Sequence, residues 1–175
     1  MVEVIMNLEQ LIQNIEQWAH DRNIIKGSKP IDQAMKLFSE FGELADNVGK
    51  GRDCRDDIGD VFVVLTIMAK QKNLSMVDAL DFSGISVGSI KHGVVNLSGC
   101  LEYFVRHDEQ GALMESLEAL DSVCFESKNN LKECVQIAYN DIKDRKGLMH
   151  NGVFIKESDP AYESVIKSIE ANYNA

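Results

Sequence analysis

Residues Ile58 to Met68, IGDVFVVLTIM, are apolar on almost every side, and a segment of that kind is stable only when other elements wrap it completely. This run constrains the fold more than any other feature of the chain. Its Val, Ile and Phe content would also suit a buried strand. Asp53, Asp56 and Asp57 decide the matter: they lead into the run at helical spacing with no turn signal between, and the positive end of a helix dipole favours them. The stretch predicts a central helix within a layer of amphipathic ones.

The flanking sequence supplies that layer. Leu8, Leu11, Ile12, Ile15, Trp18 and Ala19 share one helical face behind an Asn7/Gln10 capping box, so a first helix runs to about Arg22. NIIKGSK breaks it, and Pro30 fits the first turn of a second helix carrying Ile31, Ala34, Met35, Phe38, Phe41 and Ala45 inward, stopped by Gly49 and Gly51. Ser75 and Asp78 open a short helix at MVDAL. Beyond it, Ile90, Val94, Leu97, Leu101, Phe104 and Val105 keep helical spacing through a glycine-spotted segment, and Leu113, Leu117, Leu120 and Cys124 mark a clearer helix. Leu131, Cys134, Val135, Ala138 and Ile142 form the stripe of another. Asn151-Gly152 between apolar residues predicts a small hairpin or an extended hook, and Asp159-Pro160 caps a last helix. The expected fold is all-α: one antiparallel helical bundle over residues 1–175, with a helical insertion at about 82–130 and a small C-terminal hook.

Composition narrows the function. The 175 residues carry 28 acidic against 18 basic side chains, a formal charge of -10, which disfavours a nucleic-acid footprint built on phosphate neutralisation. The N-terminus has no basic, apolar leader pattern, and no window reaches the roughly 18 apolar residues a spanning helix needs. A cytoplasmic protein without a membrane partner is expected. Cys54, Cys100, Cys124 and Cys134 form no Cys-x-x-Cys pair and have no His at ligand spacing, so they read as buried apolar residues of a reducing compartment.

Two acidic pairs flank the second turn. Glu40 and Glu43, like Asp57 and Asp60, are three residues apart and so project from one helix face each. A short glycine-broken connection lets the two helices fold back, bringing the four carboxylates opposite one another. Two readings stand. The acids form a solvated face, the usual state of charged side chains, or they hold a hard divalent cation, which offsets the repulsion and desolvation of clustered carboxylates. Oxygen ligands without His or Cys suit Mg2+, or Mn2+.

These residues, SEFGE and DIGD, resemble the paired acidic signature of the MazG-like, all-α nucleoside triphosphate pyrophosphohydrolases. The similarity extends to IEQWAHDRNIIKGSKPIDQAMKLFSEFGEL and to AYNDIKDRKGLMHNGVFIKESD, about half of the chain, and these segments are similar to those of phage-encoded members. Two departures stand out: Ser39 occupies a position where that family often has Glu, and Asp57 replaces a usual Glu. The resemblance implies a bundle of the MazG-like type that hydrolyses a nucleoside triphosphate between its α and β phosphates. It implies Mg2+ held by Glu40, Glu43, Asp57 and Asp60, with Glu40 or Glu43 acting on the attacking water. It further implies phosphate or sugar contacts from Asn140, Lys143, Arg145, Lys146 and Lys26, and a homo-oligomer, a dimer or tetramer, as the assembled form. For Lys143, Arg145 and Lys146 compensation of a helix C-terminal dipole is the plain alternative. For Trp18 the expected role is core packing. Two competing classes remain: a non-catalytic helical interaction or nucleotide-binding module with a degenerate site, and a di-iron bundle, which wants Glu-x-x-His pairs that this chain lacks.

Overall fold

The computed structural model describes residues 6–81 and 85–173, without the side chains of residues 172 and 173. The first five residues and the start of the expected insertion, 82–84, lie outside the described residues. Within them the chain is mostly helical: α1 (Leu8–Asp21), the short α2 (Ile24–Gly27), α3 (Pro30–Lys50), α4 (Arg55–Gln71), a single 3-10 turn at Asp78–Leu80, α5 (Ile90–Arg106), α6 (Gln110–Glu126), α7 (Leu131–Ile142), the strands β1 (Gly147–His150) and β2 (Val153–Lys156), and α8 (Tyr162–Tyr173). Among the described residues no helix is long and apolar enough to cross a membrane.

Local chemistry fixes several ends. Asn7 accepts from the Gln10 amide at 2.8 Å while Gln10 Oε1 accepts from the Asn7 amide at 3.0 Å, the reciprocal bonds of a capping box. Ser75 Oγ accepts from the Asp78 amide at 3.1 Å, yet the segment makes only one 3-10 turn rather than the short helix its pattern suggested. Asn151 and Gly152 both take positive φ, 49° and 78°, as a two-residue hairpin turn requires, and β1 and β2 pair antiparallel with His150 opposite Val153.

The Ile58–Met68 run is the centre of the molecule. Apart from Asp60, every residue from Asp57 to Ala69 is buried, and α4 touches α1, α2, α3, α6 and α7. Its one buried hydroxyl, Thr66, donates to the Phe62 carbonyl at 2.9 Å, so the dry interior strands no donor there. Gly59 packs tightly on α7: a Cβ there would stand 2.2 Å from the Cys134 carbonyl oxygen. The expected insertion, helices α5 and α6, packs on itself, on α3 and on α4, adding its Val94, Leu97, Leu101, Phe104, Leu113 and Leu117 to the same core.

One expectation is overturned. Ile31, Met35 and Phe38, read as inward, are 58%, 60% and 38% exposed. Helix α3 carries two apolar stripes at the same spacing, and the one formed by Ala34, Leu37, Leu44 and Val48 takes the core. Spacing alone does not say which stripe wins.

Candidate functional site

A groove of about 620 Å3 opens between the first half of α3, the middle of α4 and the C-terminal hairpin. Val63, Val64, Ile67, Ile142, Met149 and Phe154 give it an apolar floor and wall, while Glu40, Asp60, Lys36, Arg145, Lys146 and Lys156 bring charge to it.

Glu40 is 5% exposed, and the Lys36 ammonium forms an ion pair with its Oε1 one helical turn earlier on α3. Asp60 comes from α4. Its carboxyl is pushed up to about 7, first by burial, then by the negative charges of Glu40 and Asp56, against the pull of Lys36 and Arg145. Asp57 is also raised, again by burial first; Asn47 Nδ2 donates to its Oδ2 at 2.9 Å and opposes the shift, and Glu40 adds to it. Burial likewise raises Asp56, helped by Asp141 and Asp57. The acids of α3 and α4 thus share one electrostatic field, and Glu40 is the residue that links them.

The expected residues divide as follows. Glu40, Asp60, Arg145 and Lys146 line the groove. Asp57 is buried beside it, whereas Glu43 is exposed, because residues three apart on a helix differ by about 60° in direction. Asn140 accepts from Gln136 Nε2 at 3.2 Å and from Lys143 Nζ at 3.1 Å, so Lys143 is turned along its own helix. Lys26 lines a neighbouring cleft with Lys29, Ser28, His150 and Asn151, which meets the groove at Asp32 and Gly152. Trp18 is partly buried against the core and also walls the groove; the Arg22 guanidinium stands 5.1 Å from its ring centroid.

Two groove residues, and a third that holds the groove's basic segment, escaped the sequence reading. Lys36 carried a signal, its i,i+4 spacing to Glu40, which is also the spacing of ordinary surface pairs. Lys156 carried none beyond its place in the hairpin. Arg22 acts through backbone carbonyls far along the chain, which no side-chain pattern announces: Nε donates to the Arg145 carbonyl at 2.6 Å and Nη2 to the Lys143 carbonyl at 3.1 Å. The hairpin is sewn down beside it. The Met149 amide donates to the Arg22 carbonyl at 2.8 Å, Asn23 Nδ2 to the Met149 carbonyl at 2.9 Å, and the Gly152 amide to the Gly27 carbonyl at 2.8 Å.

The donor set suits a hard cation. Magnesium is commonly held by one or two carboxylates, with waters and substrate phosphates completing its shell, and Glu40 with Asp60 is such a pair. The Asp60 carboxyl, raised first by burial and then by the charges of Glu40 and Asp56, is a group whose ionised form a cation would stabilise. As placed, no group of three or more His, Cys, Asp or Glu side chains among the described residues forms a cage for a metal ion.

Fold and site together define a mostly helical protein whose paired carboxylates and basic residues meet in a half-apolar groove. No protein-family model matches the chain, and no solved structure matches it. Over 73 residues it is 51% identical to an "Uncharacterized 18.2 kDa protein in rep-hol intergenic region" of Haemophilus phage HP1 (strain HP1c1), a stretch that takes in 41% of this chain and 45% of that protein. The chain therefore matches less than half of that relative's length.

Proposed function

We propose that this chain is a magnesium-dependent nucleoside triphosphate pyrophosphohydrolase of the MazG-like type, releasing a nucleoside monophosphate and pyrophosphate. The observation that carries the reading is the meeting of Glu40 and Asp60 with Arg145 and Lys146 in one groove with an apolar floor. A triphosphate needs the charged part, and a base and sugar need the apolar part.

Glu40 and Asp60 hold the cation in this reading, with Asp57 behind them. When bound, the cation supplies positive charge to the phosphate oxygens and to the departing pyrophosphate. Arg145, Lys146 and Lys156 bind phosphate oxygens through charge-assisted hydrogen bonds. Val63, Val64, Ile67, Met149 and Phe154 seat the base and keep bulk water away. Glu40, oriented by Lys36, accepts the proton of the water that attacks the α-phosphorus as the bond to the β-phosphate oxygen breaks.

A second reading, a nucleotide-binding helical module without turnover, is favoured by Lys36. Its ammonium already neutralises Glu40, and Glu43 stands in solvent. Pyrophosphate release from a panel of ribo- and deoxynucleoside triphosphates with Mg2+, for the wild type, Asp60→Asn and Glu40→Gln, separates the two. The enzyme reading expects turnover on at least one nucleotide and a loss of at least about a hundredfold in kcat/KM in each variant. Nucleotide binding by equilibrium dialysis, without pyrophosphate release under Mg2+ or Mn2+, would establish the module instead.

A further inference from the structure

Two thiols outside the groove face each other. Cys124 lies in the last turn of α6 and Cys134 near the start of α7, and their Sγ atoms are 3.9 Å apart. They are 1% and 0% exposed. The turn between them is held from both ends. The Cys124 carbonyl accepts from Ser127 Oγ at 2.7 Å and from the Asn129 amide at 3.0 Å, and the Asn130 carbonyl accepts from the Cys134 amide at 3.1 Å. A surface cleft of about 410 Å3 reaches the same turn, lined by Arg55, Ser127 and Asn129 among others, and a small oxidant enters there more readily than a bulky one.

We infer that Cys124 and Cys134 are a redox pair, which a hydroperoxide closes into a disulfide that staples α6 to α7. An S–S bond is about 2.05 Å long, so the two sulfurs must approach by about 2 Å. Side-chain rotation on two already adjacent residues is the cheapest way to do so. The roles of the two thiols differ. The hydrogen bond they share holds Cys134 below the usual thiol range, with the Arg55 charge adding to it against burial, and the same bond together with burial raises Cys124. Burial is also the first cause that raises Cys54 and Cys100, which keeps them protonated and slow to react. The Cys134 thiolate attacks one peroxide oxygen, the O–O bond breaks, and the alcohol or water leaves with a proton, so Cys134 becomes a sulfenic acid. Cys124 then attacks that sulfur, the S–S bond forms as the S–O bond breaks, and its proton departs with the hydroxyl as water. Two thiols have lost two electrons and the peroxide has gained them. A dithiol reverses the change. The staple joins the α5–α6 hairpin to the helix that leads to Arg145, with both α6 and α7 resting on α4. It owes nothing to the identity of the groove's ligand, and the inference stands apart from the enzymatic reading.

Hydrogen peroxide added to the folded full chain at neutral pH, followed by N-ethylmaleimide and peptide mapping by mass spectrometry, tests it. The expected product is one intramolecular disulfide joining Cys124 to Cys134, with Cys54 and Cys100 still alkylated and every thiol recovered after dithiothreitol. The order of attack has its own readout: in Cys124→Ala the sulfenic acid on Cys134 has no partner, and its labelling by dimedone should exceed that of the wild type at least about fivefold. The staple has another. Native-state hydrogen exchange at residues 125–133 should be at least about tenfold slower in the oxidised chain than in the reduced one. The wild-type mapping and exchange need no variant to fold. Cys124 and Cys134 still alkylated after excess peroxide, a dominant disulfide through Cys54 or between chains, linkage that forms only in urea, or exchange unchanged by oxidation would overturn the proposal.

Discussion

Arg22 donates from Nε to the backbone carbonyl of Arg145 at 2.6 Å, and with its bond to the Lys143 carbonyl it ties the end of α1 to the basic segment that follows α7. A guanidinium on two carbonyls satisfies acceptors that a helix C-terminus otherwise leaves open. It also fixes the backbone from which Arg145 and Lys146 reach the groove. Under the proposed function, Arg22→Leu should raise the nucleotide KM by roughly tenfold while changing kcat by less than about threefold. Faster hydrogen exchange at residues 143–146, measured without nucleotide, would report the loosening itself.

Asp60 makes the apo protein sensitive to pH. Its carboxyl titrates near 7 in the fold and near 3.8 when unperturbed, so between those values the native state holds a proton that the unfolded state has lost. Stability from this group is complete below about pH 4, declines as pH rises to about 7, and is flat above. Allowing for the water that enters the groove, the span is of order 2 kcal/mol. In urea titrations without divalent cations, Asp60→Asn should gain on the wild type between about pH 5 and about pH 8. An unchanged difference across that range would remove Asp60 as the cause.

Gly59 lets α4 lie close against α7. With a Cβ there only 2.2 Å from the Cys134 carbonyl oxygen and 2.7 Å from the Ala138 Cβ, Gly59→Ala must push α7 away from α4. Overpacking against backbone in a close-packed core should lower unfolding free energy by about 3 kcal/mol. A shift of that size in the urea midpoint at constant slope is the expected result.

Lys72 sits where few lysines do. Its side chain is 2% exposed, yet it pairs with Asp108 at 2.7 Å and donates to the carbonyls of Phe104, Val105 and His107 at 2.7, 3.3 and 3.2 Å. One ammonium thus closes the C-terminal end of α5, which the short chain beyond α4 brings within reach. Lys72→Met keeps the stem and removes the donors, and should cost about 3 kcal/mol by stranding those carbonyls. Thermal melts of Lys72→Met beside Asp108→Asn apportion the loss: the exposed Asp108 should account for less than about 1 kcal/mol of it.

What the sequence disclosed, and what it hid, follows from the range of the interactions. The Asn7/Gln10 box, the buried Ile58–Met68 run and the Asn151-Gly152 turn are decided within a few residues, and each is read directly. The direction of Ile31, Met35 and Phe38 depends on which of two equivalent stripes finds a neighbour, so periodicity misassigned them. Glu40 and Glu43 look interchangeable in a motif, but only Glu40 turns to the groove. Arg22 and Lys36 were passed over because one finds its acceptors more than a hundred residues away and the other resembles any surface pair.

The groove draws its acids from the helices ending at Lys50 and Gln71, and Arg145, Lys146 and Lys156 from residues 145–156. Helices α5 and α6 intervene in the chain and line none of it. During synthesis, then, the acidic wall leaves the ribosome long before the wall that opposes it, and a nascent or truncated chain exposes Glu40 and Asp60 without Arg145. Whatever this site binds, it is finished only when residues 143–156 fold back onto Arg22, Asn23 and Gly27.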